Sequence, residues 1–226
     1  MSPALRLKSA VSLVGRFPAL AGVDLEVAPG EIVLVEGGNG AGKTTLLRAC
    51  AGLVPVVAGE AEVLGFDLRR DRRTVRRHVA LLGHDSALYD DLTVEENLAF
   101  AGRAGGVQER PVVPDTALAL LDLDRLRGVV VARLSAGQRR RVAVAALLSR
   151  RHARVWLLDE PHAALDAAGR DVLDALVSEA AGRQVAVVVA SHEAERARPL
   201  AHRVVTLAGG RVVSAERLEK EAAGVA

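Results

Sequence analysis

Near the N-terminus, a glycine-rich loop lies between an apolar run and a helical stretch, and this order constrains the fold more strongly than any other segment. The apolar run EIVLVEG is typical of a strand that is covered on both faces of a sheet. The loop GGNGAG follows it, and KTTLLRACAGL then has helical character as far as Gly52. Together with the buried strands and helices further along the chain, this unit predicts an α/β domain with a mainly parallel sheet.

The loop has the spacing of a phosphate-binding loop, with glycines at 37 and 42 followed directly by Lys43 and Thr44. Glycines let the backbone curl so that N–H groups point at phosphate oxygens, and the helix N-terminus adds partial positive charge. We expect Lys43 to reach the β- and γ-phosphates of a nucleoside triphosphate and the Thr44 hydroxyl to coordinate Mg²⁺. The predicted contacts are Gly37, Gly38, Asn39, Gly40, Ala41, Gly42, Lys43, Thr44 and Thr45.

A second motif, VWLLDEP at residues 155–161, brings two adjacent carboxylates to the end of a buried strand. Ligands of open α/β sheets bind at the carboxyl ends of the strands. We therefore expect Asp159 to orient the Mg²⁺ shell and Glu160 to polarise the attacking water. Adjacent carboxylates also cap helices, but the presence of a phosphate-binding loop favours the catalytic interpretation.

A third motif, LSAGQRRRVAVA at residues 134–145, begins another helix. Ser135, Ala136 and Gly137 leave backbone donors free at its start, which predicts a second phosphate-binding surface in the same chain. One chain does not need two such surfaces for one phosphate unless each serves a different copy. The motif therefore predicts a head-to-tail pair with nucleotide between the two copies; an ordinary N-capped helix is the alternative.

The rest of the chain divides into strand-rich and helix-rich parts. Alternating apolar residues predict strands at 5–13 and 23–27, whereas helical stretches dominate residues 86–151. Gly209 and Gly210, followed by RVVS, predict a closing hairpin. Buried-strand runs return after the helical block, at 155–159, 185–190 and 203–207.

Composition limits the classes of partner and compartment. The formal net charge is only +2 at pH 7 and aromatic residues make up 2% of the chain, so no nucleic-acid partner is expected. Cys50 is the one cysteine, so an intramolecular disulfide is impossible, and we expect its side chain to pack in the helix behind the loop. The chain has no signal-peptide pattern and no apolar run near the roughly 20 residues of a membrane span, which predicts a cytoplasmic location.

Arginines cluster at residues 69–77 and 139–141. Solvated helix faces are the expected role for most of them. The alternative is contact with anionic lipid headgroups or with acidic loops of a membrane partner.

The motifs GGNGAGKTT, LSAGQ, VWLLDE, AALD and ASHE occur in the same order as in the ATP-binding subunits of ABC transporters, and the chain resembles that family over essentially its whole length. The resemblance implies a P-loop NTPase fold with a mainly parallel sheet, an N-terminal antiparallel β region and an inserted helical subdomain. It implies one domain, 1–226, with a RecA-like core at 1–85 and 152–226 and the helical subdomain at 86–151.

The same resemblance implies an ATPase in which two copies hold ATP and Mg²⁺ between them and drive an integral membrane permease from the inner face of the membrane. His192 would contact the γ-phosphate and hold Glu160 and water in place, beside Lys43. Asp166 would lie in the loop that crosses the interface between the copies. The nucleotide contacts from the third motif and this loop would be Ser135, Gly137, Gln138 and Asp166.

Several positions depart from the family pattern. His84 occupies the slot of the usual glutamine near the Mg²⁺ site, and Asp85 beside it is a second acceptor; we assign the metal site to Thr44, Asp159 and His84. Val14 stands where the adenine-stacking aromatic is usual, which leaves Phe17 as the nearest ring, either stacking on adenine or packing in the core. His162 replaces a common threonine, and a partly exposed loop position is as well supported as a catalytic contact.

The histidine in LLGH and the sequence LSAGQ followed by RR resemble the ATPase subunits of haem exporters in cytochrome c maturation. A general small-molecule efflux ATPase remains an alternative, as does a soluble iron–sulfur-assembly ATPase without a permease. A regulatory cassette that does not hydrolyse ATP is disfavoured, because Lys43, Asp159, Glu160 and His192 are all present.

Overall fold

The computed structural model describes residues 2–104, 115–150, 152–192 and 194–219. Its strands are β1 (Leu5–Val14), β2 (Phe17–Val27), β3 (Ile32–Glu36), β4 (Val56–Val63), β5 (Phe66–Asp67), β6 (Val79–Leu82), β7 (Val155–Asp159), β8 (Ala186–Ala190), β9 (Arg203–Ala208) and β10 (Arg211–Arg217). Its α-helices are α1 (Lys43–Cys50), α2 (Arg72–His78), α3 (Val94–Ala104), α4 (Asp115–Leu120), α5 (Ala136–Leu148), α6 (Ala167–Gly182) and α7 (Ala194–Ala197).

The strands form two sheets. A four-stranded antiparallel sheet has the order β2-β1-β4-β5, and a six-stranded sheet has the order β10-β9-β3-β8-β7-β6. Neighbours from β9 to β6 run parallel, and only β10 is antiparallel, through the hairpin at Gly209 and Gly210. The structure thus confirms the α/β fold, the N-terminal antiparallel region and the closing hairpin.

The six-stranded sheet is covered on both faces, which explains the continuous apolar runs in its strands. On β3, Ile32 and Leu34 pack into a core with α3, α5 and α6, while Val33 and Val35 pack into a second core with α1 and the antiparallel sheet. Cys50 is buried in the second core, as expected, and burial raises the pKa of its thiol to about 12.

Helices α3, α4 and α5 all lie between β6 and β7, in the helical block that the sequence predicts. The division of this block from the core at residues 86 and 151 stays a prediction. Among the described residues, no helix has both the length and the apolar character needed to cross a membrane.

A buried asparagine fixes the loop that joins β6 to α3. The side-chain oxygen of Asn97 accepts a hydrogen bond from the backbone N–H of Tyr89 at 2.8 Å. Its amide donates to the carbonyl oxygens of Tyr89, Leu92 and Thr93 at 3.0–3.3 Å. Asn97 therefore fixes the part of this loop that leads into α3.

We expect Asn97→Leu to lower the free energy of unfolding by about 1–3 kcal/mol, because the Tyr89 N–H loses its acceptor and three carbonyl oxygens each lose one of two donors. Thermal unfolding of the purified chain measures this loss. Arg103→Leu, on the exposed part of the same helix, is the matched control and should change stability by less than about 0.5 kcal/mol. Equal stability of the two variants would show that Asn97 does not hold the loop.

Candidate active site

Two glycines of the phosphate-binding loop lie where no side chain fits. Gly37 has a φ of 149°, and a Cβ atom there would lie 2.3 Å from the carbonyl oxygen of Leu207. Gly42 has a φ of 107°, and a Cβ atom there would lie 2.6 Å from the carbonyl oxygen of Ala19. Both conformations are left-handed and favour glycine, so the loop follows a path that the sequence motif requires.

Lys43 is the first residue of α1, and its side chain folds back over the loop. The ammonium group donates hydrogen bonds to the carbonyl oxygens of Gly37 at 2.6 Å and Gly38 at 3.2 Å. The positive charge therefore lies at the N-terminus of a helix, where the helix dipole also favours an anion.

The loop forms one wall of a cavity of about 450 Å³, a size typical of small-molecule sites. The other walls come from the ends of β7 and β8 and from the loop after β6. The structure thus brings together most of the predicted loop, catalytic and metal residues. The lining residues are Ala19, Gly38, Asn39, Gly40, Ala41, Gly42, Lys43, Thr44, Thr45, His84, Asp159, Glu160 and His192.

Glu160 and His192 are in direct contact. The His192 Nδ1 atom lies 2.8 Å from Glu160 Oε2, and the His192 backbone N–H donates to both carboxylate oxygens at 3.0 and 3.2 Å. The Ser191 hydroxyl donates to the same carboxylate at 3.2 Å. The Glu160 side chain is 15% exposed and the His192 side chain is 68% exposed. The carboxylate is therefore mostly enclosed by its partners, while the imidazole is open to solvent.

The backbone of Glu160 adopts a left-handed conformation, with a φ of 46°. This conformation costs roughly 1–3 kcal/mol for a residue other than glycine and persists only where the surroundings enforce it. The Glu160 N–H donates to the carbonyl oxygen of Ala190 at 2.8 Å, and the Glu160 carbonyl accepts from the Arg140 guanidinium at 2.6 Å. These two bonds fix the peptide units on either side of the strained residue.

Arg140 makes further bonds to the same region from the buried face of α5. Its guanidinium donates to the carbonyl oxygens of Asp159 at 3.1 Å, Pro161 at 3.3 Å and Gly83 at 2.7 Å. Burial lowers the pKa of the Arg140 guanidinium, and the charges of Asp159 and Glu160 act in the opposite direction. One buried cation thus ties α5 to both the carboxylate strand and the loop after β6.

The expectation that the arginine clusters form solvated helix faces is therefore wrong for Arg140. It holds for the exposed arginines of α2. Arg139 forms an ion pair with Asp90, and Arg141 donates to Asp166. Sequence alone gave no signal that separates the middle arginine of three from its neighbours.

The LSAGQ motif and the loop before α6 line a different cavity, of about 310 Å³. Ser135 is the N-cap of α5: its hydroxyl accepts from the Gln138 N–H at 3.2 Å, and its own N–H donates to the Gln138 side chain at 2.9 Å. No residue lines both this cavity and the cavity at Lys43. The predicted residues that line the second cavity are Ser135, Gly137, Gln138 and Asp166.

Asp166 is the N-cap of α6 and is held by a cation from α5. Arg141 donates to both carboxylate oxygens at 2.9 Å, and the Gly169 N–H donates to one of them at 3.0 Å. These bonds, with Arg141 the larger cause, lower the pKa of the Asp166 carboxyl. The carboxylate therefore stays charged at neutral pH.

Phe17 and His162, both discussed from the sequence, do not line the cavity at Lys43. Phe17 begins β2 and is 79% exposed, so it is not a core residue, and it does not line the cavity that Ala19 lines. His162 is buried and not partly exposed: its Nε2 atom lies 2.7 Å from Asp174, which also pairs with Arg196. His162 therefore belongs to a partly buried hydrogen-bonded network with Asp174 and Arg196, outside the cavity at Lys43.

The donor groups at the cavity suit a hard divalent cation. The Asp159 carboxylate and the Thr44 hydroxyl both line it, and Mg²⁺ uses one or two such oxygens together with phosphate oxygens and waters. The described residues contain no cluster of three or more His, Cys, Asp or Glu side chains that could hold a metal alone. His84 offers nitrogen, a poorer ligand for Mg²⁺.

The sequence pattern of the family described as ABC transporter matches residues 20–163, which include the loop and both carboxylates. The chain belongs to this family, as an ATP-binding and ATP-hydrolysing subunit.

Relatives of known sequence carry a more particular name. The cytochrome c biogenesis ATP-binding export protein CcmA of Xanthomonas campestris pv. campestris is 42% identical over 84% of this chain and 87% of its own length. The protein of the same name from Bordetella bronchiseptica is 42% identical over 82% of this chain and 83% of its own length.

Solved structures agree with the fold. The ATP-binding subunit of an ABC transporter superposes with a TM-score of 0.88 at 27% identity, over 95% of this chain and 90% of that one. A dimeric ATP-binding cassette in a post-hydrolysis state, bound to ADP and Pi, superposes with a TM-score of 0.83 at 26% identity, over 95% of this chain and 99% of that one.

We expect Arg140→Met to lower kcat for ATP hydrolysis at least about tenfold, equivalent to ~1.4 kcal/mol, with little change in KM. The reason is that Arg140 positions the backbone of Glu160 and does not touch the phosphate-binding loop. Steady-state ATPase kinetics measure both constants.

Arg140→Lys should recover part of kcat because it retains a buried donor. Arg139→Met removes the same charge from the neighbouring position and should keep a kcat close to that of the unaltered chain. The role of Arg140 would be structural only if Arg140→Met raised KM, lowered kcat and partly unfolded the chain, and if lysine restored none of these properties.

Proposed function

We propose that this chain is the ATPase subunit of an export transporter for cytochrome c biogenesis, and that two copies act head-to-tail on a membrane permease. The observation that carries the pairing is the separation of the two predicted nucleotide surfaces, because each cavity holds only part of the predicted ATP contacts. The names of the relatives support the cytochrome c assignment, and the dimeric cassette supports the pairing.

In the proposed site, the phosphate-binding loop of one copy holds the triphosphate, with Lys43 at the β- and γ-phosphates. Mg²⁺ bound with ATP would neutralise phosphate charge, held by the Thr44 hydroxyl and the Asp159 carboxylate. His84 lines the same cavity, and its imidazole can donate to a water or to a phosphate oxygen. Phe17, two residues from the cavity wall at Ala19, is the exposed ring available to adenine.

Glu160 is the proposed general base. Its carboxylate accepts from Ser191 and from the His192 backbone, which fixes its orientation toward the cavity. In this proposal the exposed His192 imidazole contacts the γ-phosphate while its Nδ1 atom stays in contact with the Glu160 carboxylate. Hydrolysis then depends on positioning and electrostatics, as in other phosphoryl transfers.

The second copy completes the site with its LSAGQ motif. Ser135 and Gly137 lie at the start of α5, where the helix dipole favours the γ-phosphate of the partner's ATP. The phosphate would share or replace the capping bonds between Ser135 and Gln138. Gln138 and Asp166 line the same cavity and face the interface in this arrangement. We place the chain in the cytoplasm, on the inner face of the membrane, where a permease subunit would hold it.

We expect Glu160→Gln to bind Mg-ATP, to form a stable dimer and to hydrolyse ATP at least about 100-fold more slowly, because the general base is lost while the contacts that hold the nucleotide remain. Size-exclusion chromatography with light scattering and a phosphate-release assay measure both effects. Lys43→Ala should lose ATP binding in calorimetry.

Gly137→Asp, added to Glu160→Gln, tests the head-to-tail arrangement. It places a negative charge where the partner's phosphate would lie, so the double variant should bind ATP but stay monomeric. A dimer that persists in the double variant would exclude this surface from the interface.

We expect deletion of the chain's gene to abolish covalent haem attachment to c-type cytochromes, with restoration by the unaltered chain and not by Glu160→Gln. Haem staining of membrane proteins after electrophoresis measures this, and co-purification with a multi-span membrane protein tests the permease. Normal cytochromes together with a bound permease would favour a different exported substrate. Purely soluble partners would overturn the transport assignment.

A further inference from the structure

A further cavity, distinct from those at Lys43 and at Ser135, lies at the opposite end of β7 from Asp159. It has a volume of about 500 Å³ and lies between the end of α5, the start of β7 and α6. Its apolar wall includes Leu147, Leu148, Trp156, Leu176 and Val185. Its size falls within the range of small-molecule sites, and no residue of the nucleotide cavity lines it.

The polar wall of this cavity contains the guanidinium of Arg150, which pairs with no carboxylate in the part of the chain that the structure describes. Arg150 follows α5, and its Nη2 atom donates to the carbonyl oxygen of Arg76 at 2.6 Å. Its Nε atom is buried and has no hydrogen-bond partner among the described residues. Burial lowers the pKa of this guanidinium.

The other charges at the cavity do not compensate Arg150. Glu179 is paired with Arg183 on the same helix at 3.3 Å, and both side chains are mostly exposed. Arg154 adds a further positive charge at the rim. The described lining therefore carries an excess of positive charge next to an apolar wall.

We infer that this cavity binds an anionic amphiphile, with a carboxylate or phosphate group at Arg150 and an apolar body against Trp156. The Arg150 side chain lines the cavity, and a partly desolvated cation interacts more strongly with an anion than a cation in water does. The apolar wall excludes a small hydrated anion as the preferred ligand, because such an ion would leave the hydrocarbon surface uncovered.

Trp156 makes the cavity directly measurable, because it is the only tryptophan in the chain. We expect octanoate and octyl phosphate to change its fluorescence saturably in the full-length protein without nucleotide. Octanol and octylammonium match the chain length but lack negative charge, and acetate and inorganic phosphate lack the apolar body. Each of these four should bind at least about tenfold more weakly, the size of one charge-assisted bond or a few buried methylene groups.

Arg150→Met tests the assignment of the charge. It should weaken octanoate binding about tenfold in a chain that remains folded, which thermal unfolding checks, because it removes the positive charge that faces the cavity. Arg154→Met should weaken binding by a smaller factor. Arg73→Met, an exposed arginine on α2 outside the cavity, removes the same charge and should leave the affinity unchanged.

Three results would overturn the proposal. The first is equal binding of octanol and octanoate, which would make the cavity an unselective apolar void. The second is equal binding of inorganic phosphate, which would make Arg150 a site for small anions. The third is unaltered octanoate affinity in folded Arg150→Met and Arg154→Met.

Lys43→Ala serves as a further check, since its octanoate affinity should match that of the unaltered chain if the two cavities are separate.

Discussion

The parallel pairing of β7 with β8 is the constraint on which the site depends. Asp159 pairs with Ala190, so Glu160 and His192 leave the sheet at the same level. Val35 of β3 pairs with the same Ala190, which brings the start of the phosphate-binding loop to that edge as well. A shift of one residue in β8 would turn every side chain of the strand to the other core and separate the carboxylate from the imidazole.

The helix that carries LSAGQ has a second role within its own copy. Its N-terminus lines the cavity of about 310 Å³, while Arg140, one turn further on, holds the backbone of Glu160 and of Gly83. A movement of α5 relative to the sheet would therefore displace the backbone of Glu160, the proposed general base, in the same chain. This link gives a physical route by which engagement of one ATP could influence hydrolysis of the other, since each copy contributes to both sites in the proposed pair.

Local patterns predicted much of the fold, because β3, β7 and β8 are continuous apolar runs and the glycine-rich loop has a fixed spacing. The region 56–82 was not resolved by pattern: β4 has an irregular burial pattern, and α2 buries only Val75 among its seven residues. Arg140 was missed because three adjacent arginines are equivalent in sequence and differ only in tertiary contacts. His162 was placed too near the surface, since its partner Asp174 lies on a later helix.

The lysine of the phosphate-binding loop already has partners inside the loop, the carbonyl oxygens of Gly37 and Gly38. An incoming ligand must replace or share these two neutral acceptors. A polyphosphate can do so, because an ionised oxygen binds an ammonium group about twice as strongly as a carbonyl does. A nucleoside without phosphates has no ionised oxygen to offer in exchange. The loop therefore discriminates between ligands by their phosphate charge and not by their base.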